Sequence, residues 1–410
     1  MIRLNTDPLR TNKNFRNLWI SGVITGLGSF ATYVSMPYQI ADITGSYVAV
    51  GLLGVTEVVP IVVFGLWGGV IADRFDRRNV VVVTEVIMML LTGVLLANAL
   101  MPTPQTWVIY LISSLFAATD GIQRPSLDAM LPRVVTPDQL AAAGAFRSLR
   151  GNIAHIVGPA LGGILIAIGG VGLAYSFDVV SFVASVYFLL RVARLPSQRE
   201  VFEKPLHELK LAFSYLRTRR DIIGTYLADT IAMICTFPFA LFPFIVDEYD
   251  APWALGFLYS SLAVGSLIAT ATSGWTSRIY RHGKAVLFSA GAWGITICAA
   301  GFVKNIWWVL FFLMLAGAAD MMSGLFRSLI WDLTIPDELR GRMAGLELLS
   351  YGVGPQVGQV RSTLTARFTS IQTSLIAGGA VCAGSMAVLK SAMSSLWRFD
   401  ARVTQSRHDA

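Results

Sequence analysis

Charge is scarce in this chain. Only 14% of its 410 residues are Asp, Glu, Lys or Arg, while 54% are hydrophobic, against roughly 25% charge in an ordinary soluble domain. That balance excludes a water-soluble protein of this length. Cysteine is nearly missing: Cys235, Cys298 and Cys382 each stand alone in an apolar run, with no CxxC. Neither a disulfide framework nor a metal knuckle is expected. The four histidines are scattered, so no metal site is expected either. There is no GxxxxGK[ST] sequence, since "HGKA" (282–285) lacks the upstream glycine and the Ser/Thr; ATP is therefore not the energy source. No His/Cys/Ser constellation of an intramembrane hydrolase is visible, and no enzymatic activity is expected.

Long uncharged runs are present instead. Leu18–Ala41, Trp253–Ser277, Ala285–Val303 and Phe368–Leu389 contain no Asp, Glu, Lys or Arg, and a spanning helix needs about 20 apolar residues. Read against breakers such as "NALMPTPQ", the chain gives about twelve spans, near 16–41, 48–72, 79–100, 106–131, 141–168, 171–193, 221–246, 253–277, 284–303, 306–332, 341–366 and 369–390. Several carry embedded charges that depress their hydropathy. The first span is read as a retained anchor, because it is too long for a signal h-region and no cleavage site follows. With both termini inside, the outer connections hold only Lys304 and Arg367 among basic residues, while the inner ones hold Arg74, Arg77, Arg78, Arg133, Arg278, Arg281, Lys284, Arg340 and Arg342. This is the positive-inside pattern. The net charge of +7 is thus a topology signal, and no nucleic-acid partner is expected.

The chain reads as an all-α polytopic membrane protein with two six-helix pseudo-symmetric bundles: 1–193, a cytoplasmic linker at 194–220 with a short amphipathic helix, and 221–410 with a short tail. The halves repeat. "ATDGIQRPSLDAMLPRVVTPDQL" and "AADMMSGLFRSLIWDLTIPDEL" align Asp120 with Asp320 and Pro137-Asp138 with Pro336-Asp337; further on, Gly158-Pro159 aligns with Gly354-Pro355. Two parallel halves imply a transporter with its site between them, near the midplane.

"GGVIADRFDRRNV" (68–80) resembles the signature between the second and third helices of the major facilitator superfamily, met by Gly69, Asp73, Arg74, Arg77 and Arg78. Span count, linker and repeat extend the resemblance over the whole chain. "KPLHELKLAFSYLR", "LGFLYSSLAVGSLIATATSG" and "LRGRMAGL" are similar to the bacterial siderophore-exporter and drug-efflux branch. The resemblance implies that Asp73 lies against the inner N-terminus of the eleventh helix, about Asp337–Gly341, and that Arg74 meets Asp128. Such contacts would form a conformational latch. "GPALGG" looks like the core of the antiporter motif, with Gly158, Pro159, Gly162 and Gly163 forming a close-packed bend, although Ala154 and Ala145 stand where glycine is usual. This implies export by antiport.

Without ATP, uphill transport must draw on an ion gradient, by default protons, and the carrier must titrate within the bundle. Among the embedded charges Asp120 with Arg124, one turn apart, then Asp229, then Asp320 are the proton-coupling candidates; permanently paired ion bridges are the structural alternative. Glu85 and Arg147 could simply snorkel. His155 is a packing residue or a relay. Tyr33, Met36, Tyr38, Phe237, Phe239, Phe242, Tyr259 and Trp293 are substrate-cavity candidates, suited to a large aromatic ligand. The function expected is proton-coupled export of a siderophore or amphipathic aromatic compound, with uptake of a small metabolite by a facilitator or symporter as the alternative. The expected setting is the bacterial inner membrane, with the lipid bilayer as partner and a single chain as the working unit.

Overall fold

The computed structural model describes residues 6–195 and 213–403. All regular structure among the described residues is helical. After a one-turn helix at Asp7–Thr11 come α1 (Lys13–Thr44), α2 (Tyr47–Arg74), α3 (Arg77–Ala99), α4 (Thr106–Val134), α5 (Leu140–Leu189), α6 (Arg220–Thr236), α7 (Phe242–Glu248), α8 (Leu255–Ala271), α9 (His282–Phe302), α10 (Ile306–Thr334), α11 (Asp337–Phe368) and α12 (Ile371–Ala392). Nine helical stretches among the described residues are long and apolar enough to cross a membrane. α4 and α11 are not among the nine. Each is long enough to cross, but Asp120, Arg124, Asp128 and Arg133 lie in α4, and α11 is similarly interrupted by charge.

Local chemistry sets the helix ends. Asn12 caps α1 by accepting from the Phe15 N–H at 3.0 Å, and its amide donates to the Val134 carbonyl at 2.7 Å, so one residue ties the start of α1 to the end of α4. Gly45 closes α1 in the left-handed region at φ 58°, where L side chains are strained. α5 is two helices meeting in a kink at Gly170, φ 69°, within the connection read between 168 and 171. The seventh span, expected to be continuous, is instead divided into α6 and α7 by Phe237-Pro238 and a 3-10 turn at Phe239–Leu241. Proline has no N–H to donate and pushes its predecessor out of the helical region, and Phe237 is extended accordingly.

Two compact units result. The described residues of the first are 6–45, 56–195 and 252–260; those of the second are 46–55, 213–251 and 261–403. The division departs from a plain split at the linker, because the first turns of α2 and α8 each cluster with the other half of the sequence. Small residues are the physical reason. Gly54 approaches the Gln356 backbone of α11, while Gly256 fits against Ala160 and Gly163 of α5. In lipid such close backbone contact replaces the hydrophobic drive. Most of the expected linker helix lies outside the described residues; its last part, 213–218, is helical. There Tyr215 and Leu216 pack against Ile222, Ile335 and Met343, and the Tyr215 hydroxyl donates to the Thr334 carbonyl at 2.7 Å.

The α1–α5 contact is testable. A Cβ on Gly162 would lie 2.7 Å from the Ala31 Cα, a backbone atom that cannot swing away, whereas one on Gly151 meets nothing within 4 Å. Gly162→Leu is expected to destabilise detergent-purified protein by on the order of 1–3 kcal/mol, read from its thermal melt. Gly151→Leu is expected to change stability by less than about 0.5 kcal/mol.

Candidate functional site

The facing sides of α6 and α10 hold a buried ion pair. Arg327 of α10 binds the Asp229 carboxylate of α6, and their side chains are only 12% and 7% exposed. Asp320, two turns earlier on α10, is half-buried and interacts electrostatically with both partners. One turn beyond Arg327, Trp331 stacks on Tyr226 of α6 at 5.2 Å and donates its indole N–H to Thr225 at 2.9 Å. This clamp holds the two helices in register around the pair. The Arg327 Nε is buried without a hydrogen-bond partner. Two carboxylates therefore share one guanidinium, and a single proton on either acid balances the set. Asp229 and Asp320 were named as separate candidates; that Arg327 is the direct partner of Asp229, from another helix, is something one-dimensional spacing does not reveal.

The first-ranked pair is differently placed. Arg124 and Asp120 are 3.9 Å apart with side chains 53% and 55% exposed, the regime in which ion pairs are worth about 0–1 kcal/mol. Asp128 is likewise exposed and accepts from Arg147 at 3.2 Å. His155 bonds the Gly151 carbonyl of its own helix at 2.8 Å and packs on Phe30.

Within the 68–80 signature, two residues act as local anchors. Asp76 caps α3 by accepting from Asn79 N–H at 3.1 Å and, with its other oxygen, from Leu195 N–H at 2.9 Å. Arg78 donates to the carbonyls of Leu189 at 3.2 Å and Leu190 at 2.5 Å, covering the end of α5. Arg74 is exposed in the last turn of α2, and Arg77 begins α3. Gly69 lies within α2; the side chains of Asp73 and of Asp337–Gly341, apart from Leu339, lie outside the described residues.

The glycines of "GPALGG" divide their contacts: Gly158 meets Phe30 and Gly162 meets Ala31, both on α1, while Gly163 faces Gly256. Pro159 lies inside α5. The aromatic candidates form two groups. In the first unit Tyr33 contacts Phe30 and Tyr259, each at 6.1 Å between centroids. In the second, Phe237, Phe239 and Phe242 follow one another at 4.4 and 5.3 Å. Met36, Phe242, Tyr259 and Trp293 are buried, and the Trp293 indole donates to Thr236. Tyr38 is half-buried on α1.

Sequence reasoning gave no role to Arg361 of α11. It donates to the backbone carbonyls of Ile234, Cys235 and Ser374, covering acceptors that the broken α6 leaves open. Glu85 was read as a snorkelling side chain but is 3% exposed, held from Thr25 and Gln123. An embedded charge with no opposite charge within a turn was the available signal for both.

A match to the family of transmembrane secretion effectors spans residues 5–409. The chain belongs to that family. It is 29% identical over 394 residues to the enterobactin exporter EntS of Salmonella typhi, covering 94% of each protein. Over 361 residues it is 28% identical to the enterobactin exporter EntS of Escherichia coli O1:K1 / APEC, covering 87% of this chain and 86% of the relative. Among solved structures, a POT peptide transporter superposes with a TM-score of 0.75 at 11% identity, covering 95% of this chain and 96% of that one. The nucleoside transporter NupG gives 0.73 at 13%, covering 94% and 99%. The fold is that of the major facilitator superfamily, and the protein is a multi-pass bacterial membrane transporter.

Removing the guanidinium leaves both acids without their cation. Arg327→Met is expected to cost about 3–5 kcal/mol, seen as a loss of folded protein in the membrane. The triple variant Asp229→Asn/Asp320→Asn/Arg327→Met should recover most of that loss, because no charge is then stranded.

Proposed function

We propose that this protein exports a catechol-type siderophore, or a related amphipathic aromatic compound, from the cytoplasm across the bacterial inner membrane in exchange for protons. The cargo reading is supported by the full-length relatives, whose names specify enterobactin export, and by the aromatic groups around Tyr33 and Phe239. The coupling reading rests on one observation, two acids sharing the Arg327 guanidinium between α6 and α10. A proton arriving on Asp229 or Asp320 removes one negative charge, and Arg327 then has a single anion to match. Ion-pair rearrangement of that kind gives a gradient purchase on helix position. Both termini face the cytoplasm in this reading, in keeping with the arginines of the inner connections, and one chain is the working unit. Asp120 with Arg124 is the second candidate for proton exchange. The "GPALGG" bend and the 68–80 signature stabilise one access state against the other.

Everted membrane vesicles made acid inside test the proposal. Enterobactin should accumulate several-fold, and a protonophore should abolish the accumulation. Asp229→Asn should reduce proton-driven accumulation by about tenfold or more, with Asp120→Asn having a smaller effect. Intact accumulation in both variants would overturn the coupling assignment. Accumulation only in right-side-out vesicles would establish the uptake alternative.

A further inference from the structure

The N-terminal unit contains a second set of buried acids that the reading above does not use. Asp178, in the second half of α5, is fully buried. Among the described residues its carboxyl group is held by hydroxyls alone: Thr32 of α1 at 2.6 Å, Thr92 of α3 at 3.2 Å and its own helix's Ser181 at 3.1 Å. At Gly28 of α1 a Cβ would overlap both Asp178 and Ser181, so this glycine makes room for the cluster.

A full negative charge in an apolar interior without a cation is costly, which favours the acid form of Asp178. The hydroxyls suit either form. Each can donate to a carboxylate or, by rotating about its C–O bond, accept from a carboxylic acid. The site can therefore gain or lose a proton without moving a heavy atom.

A second group of hydroxyls follows along the same helices. Ser181 and Ser185 continue the Asp178 face of α5 at helical spacing, and Ser21, Thr25 and Thr32 line the opposing face of α1. Ser185 is 3.0 Å from Ser21 and also reaches the Glu85 carboxylate. Glu85 in turn accepts from Thr25 at 2.9 Å and Gln123 at 3.2 Å. Unlike Asp178, it has a cation in its field, Arg150, which runs along Gly22 and also interacts with Asp128 and Arg147. Glu85 is the charged group facing Asp178. Ser126, one turn past Gln123 on α4, has a buried hydroxyl with no hydrogen-bond partner.

We infer that Asp178 and Glu85 form a second set of proton-carrying acids inside the N-terminal unit, each held by its own hydroxyls. In this proposal Asp178 holds its proton among the hydroxyls while Glu85 is ionised near Arg150, and the two acids exchange these states during transport. When Asp178 gives up its proton the Asp178 O–H breaks and its hydroxyl partners turn from acceptors to donors; when Glu85 takes one up an O–H forms there and Thr25 or Ser185 accepts from it. The use of these acids in transport rests on the proton-coupled reading above.

Two measurements separate this inference from that reading. Infrared spectroscopy of purified protein in lipid nanodiscs needs no substrate. At neutral pH the wild type should show a carboxylic-acid carbonyl band that Asp178→Asn removes, and Thr32→Val, which takes away one hydroxyl and keeps the side-chain shape, should shift that band. An unchanged band in both variants overturns the inference, and Thr32→Val decides it if Asp178→Asn fails to fold. In everted vesicles with enterobactin as the probe, Asp178→Asn and Glu85→Gln should each lower proton-driven accumulation by about tenfold while leaving gradient-free exchange of labelled for unlabelled enterobactin near wild type. Full accumulation in both variants overturns the role in transport. A wild type that exchanges enterobactin but never responds to the proton gradient instead defeats the coupling reading, and the infrared result then still decides whether Asp178 holds a proton.

Discussion

Inside a bilayer there is no water to satisfy a stray charge or an open carbonyl, so every such group must be matched within the protein. The internal architecture of this transporter follows from the different ways it meets that demand. Asp229 is matched by the Arg327 guanidinium. Arg361 is matched by three backbone carbonyls, two of them at the end of the interrupted α6. Asp178 is matched by hydroxyls alone. These solutions differ in how they respond to a proton. An arginine on carbonyls has no titrating partner and serves as a fixed brace. An acid on an arginine exchanges one partner for another when protonated. An acid among hydroxyls changes state almost silently, because its partners reverse their donor roles in place.

The second constraint is close approach. Helices in lipid gain nothing from hiding apolar surface from one another, so they associate where small residues let backbones touch. Gly158 and Gly162 lay α5 against Phe30 and Ala31 of α1. Beyond the kink at Gly170, the second helix of α5 carries Asp178 and Ser181, packed where Gly28 of α1 leaves space. The close packing and the hydroxyls thus meet along α1, each against a different half of α5. Two hydroxyl-bearing helices held a side chain's length further apart could not hydrogen-bond directly, and Asp178 would lose its Thr32 partner.

Much of this was legible in the sequence, for identifiable reasons. Uncharged runs and the arginines between them announce helices and connections, because bilayer thickness and the positive-inside rule act on one-dimensional quantities. Gly170 and Pro238 mark breaks through their own backbone chemistry, although only the first was read as a break. The contacts that give the charges meaning were not legible. Asp229 and Arg327 lie far apart in sequence, and helical spacing directed attention to Asp120 with Arg124, which is exposed. Glu85 was read as a helix-end residue because it lies near the start of α3; the structure turns it inward onto Thr25 and Gln123. In the signature at 68–80 the contacts with the eleventh helix and with Asp128 were expected of Asp73 and Arg74; Asp76 and Arg78 tie the start of α3 to the end of α5 and to Leu195.

The internal repeat shows how far the two halves have diverged in chemistry while keeping their plan. Asp120 and Asp320 occupy matching places in α4 and α10, but Asp120 is exposed beside Arg124, whereas Asp320 is half-buried near the Asp229–Arg327 pair. The two halves therefore keep their buried acids on different helices. In the C-terminal unit they lie on α6 and α10 around an arginine. In the N-terminal unit they lie on α3 and α5 among hydroxyls, with Arg150 near only one of them. Duplication supplies two copies of a helical frame but does not require two copies of a charge site. On the proton-coupled reading proposed above, unlike sites in the two halves let protons load and release at different points of the cycle.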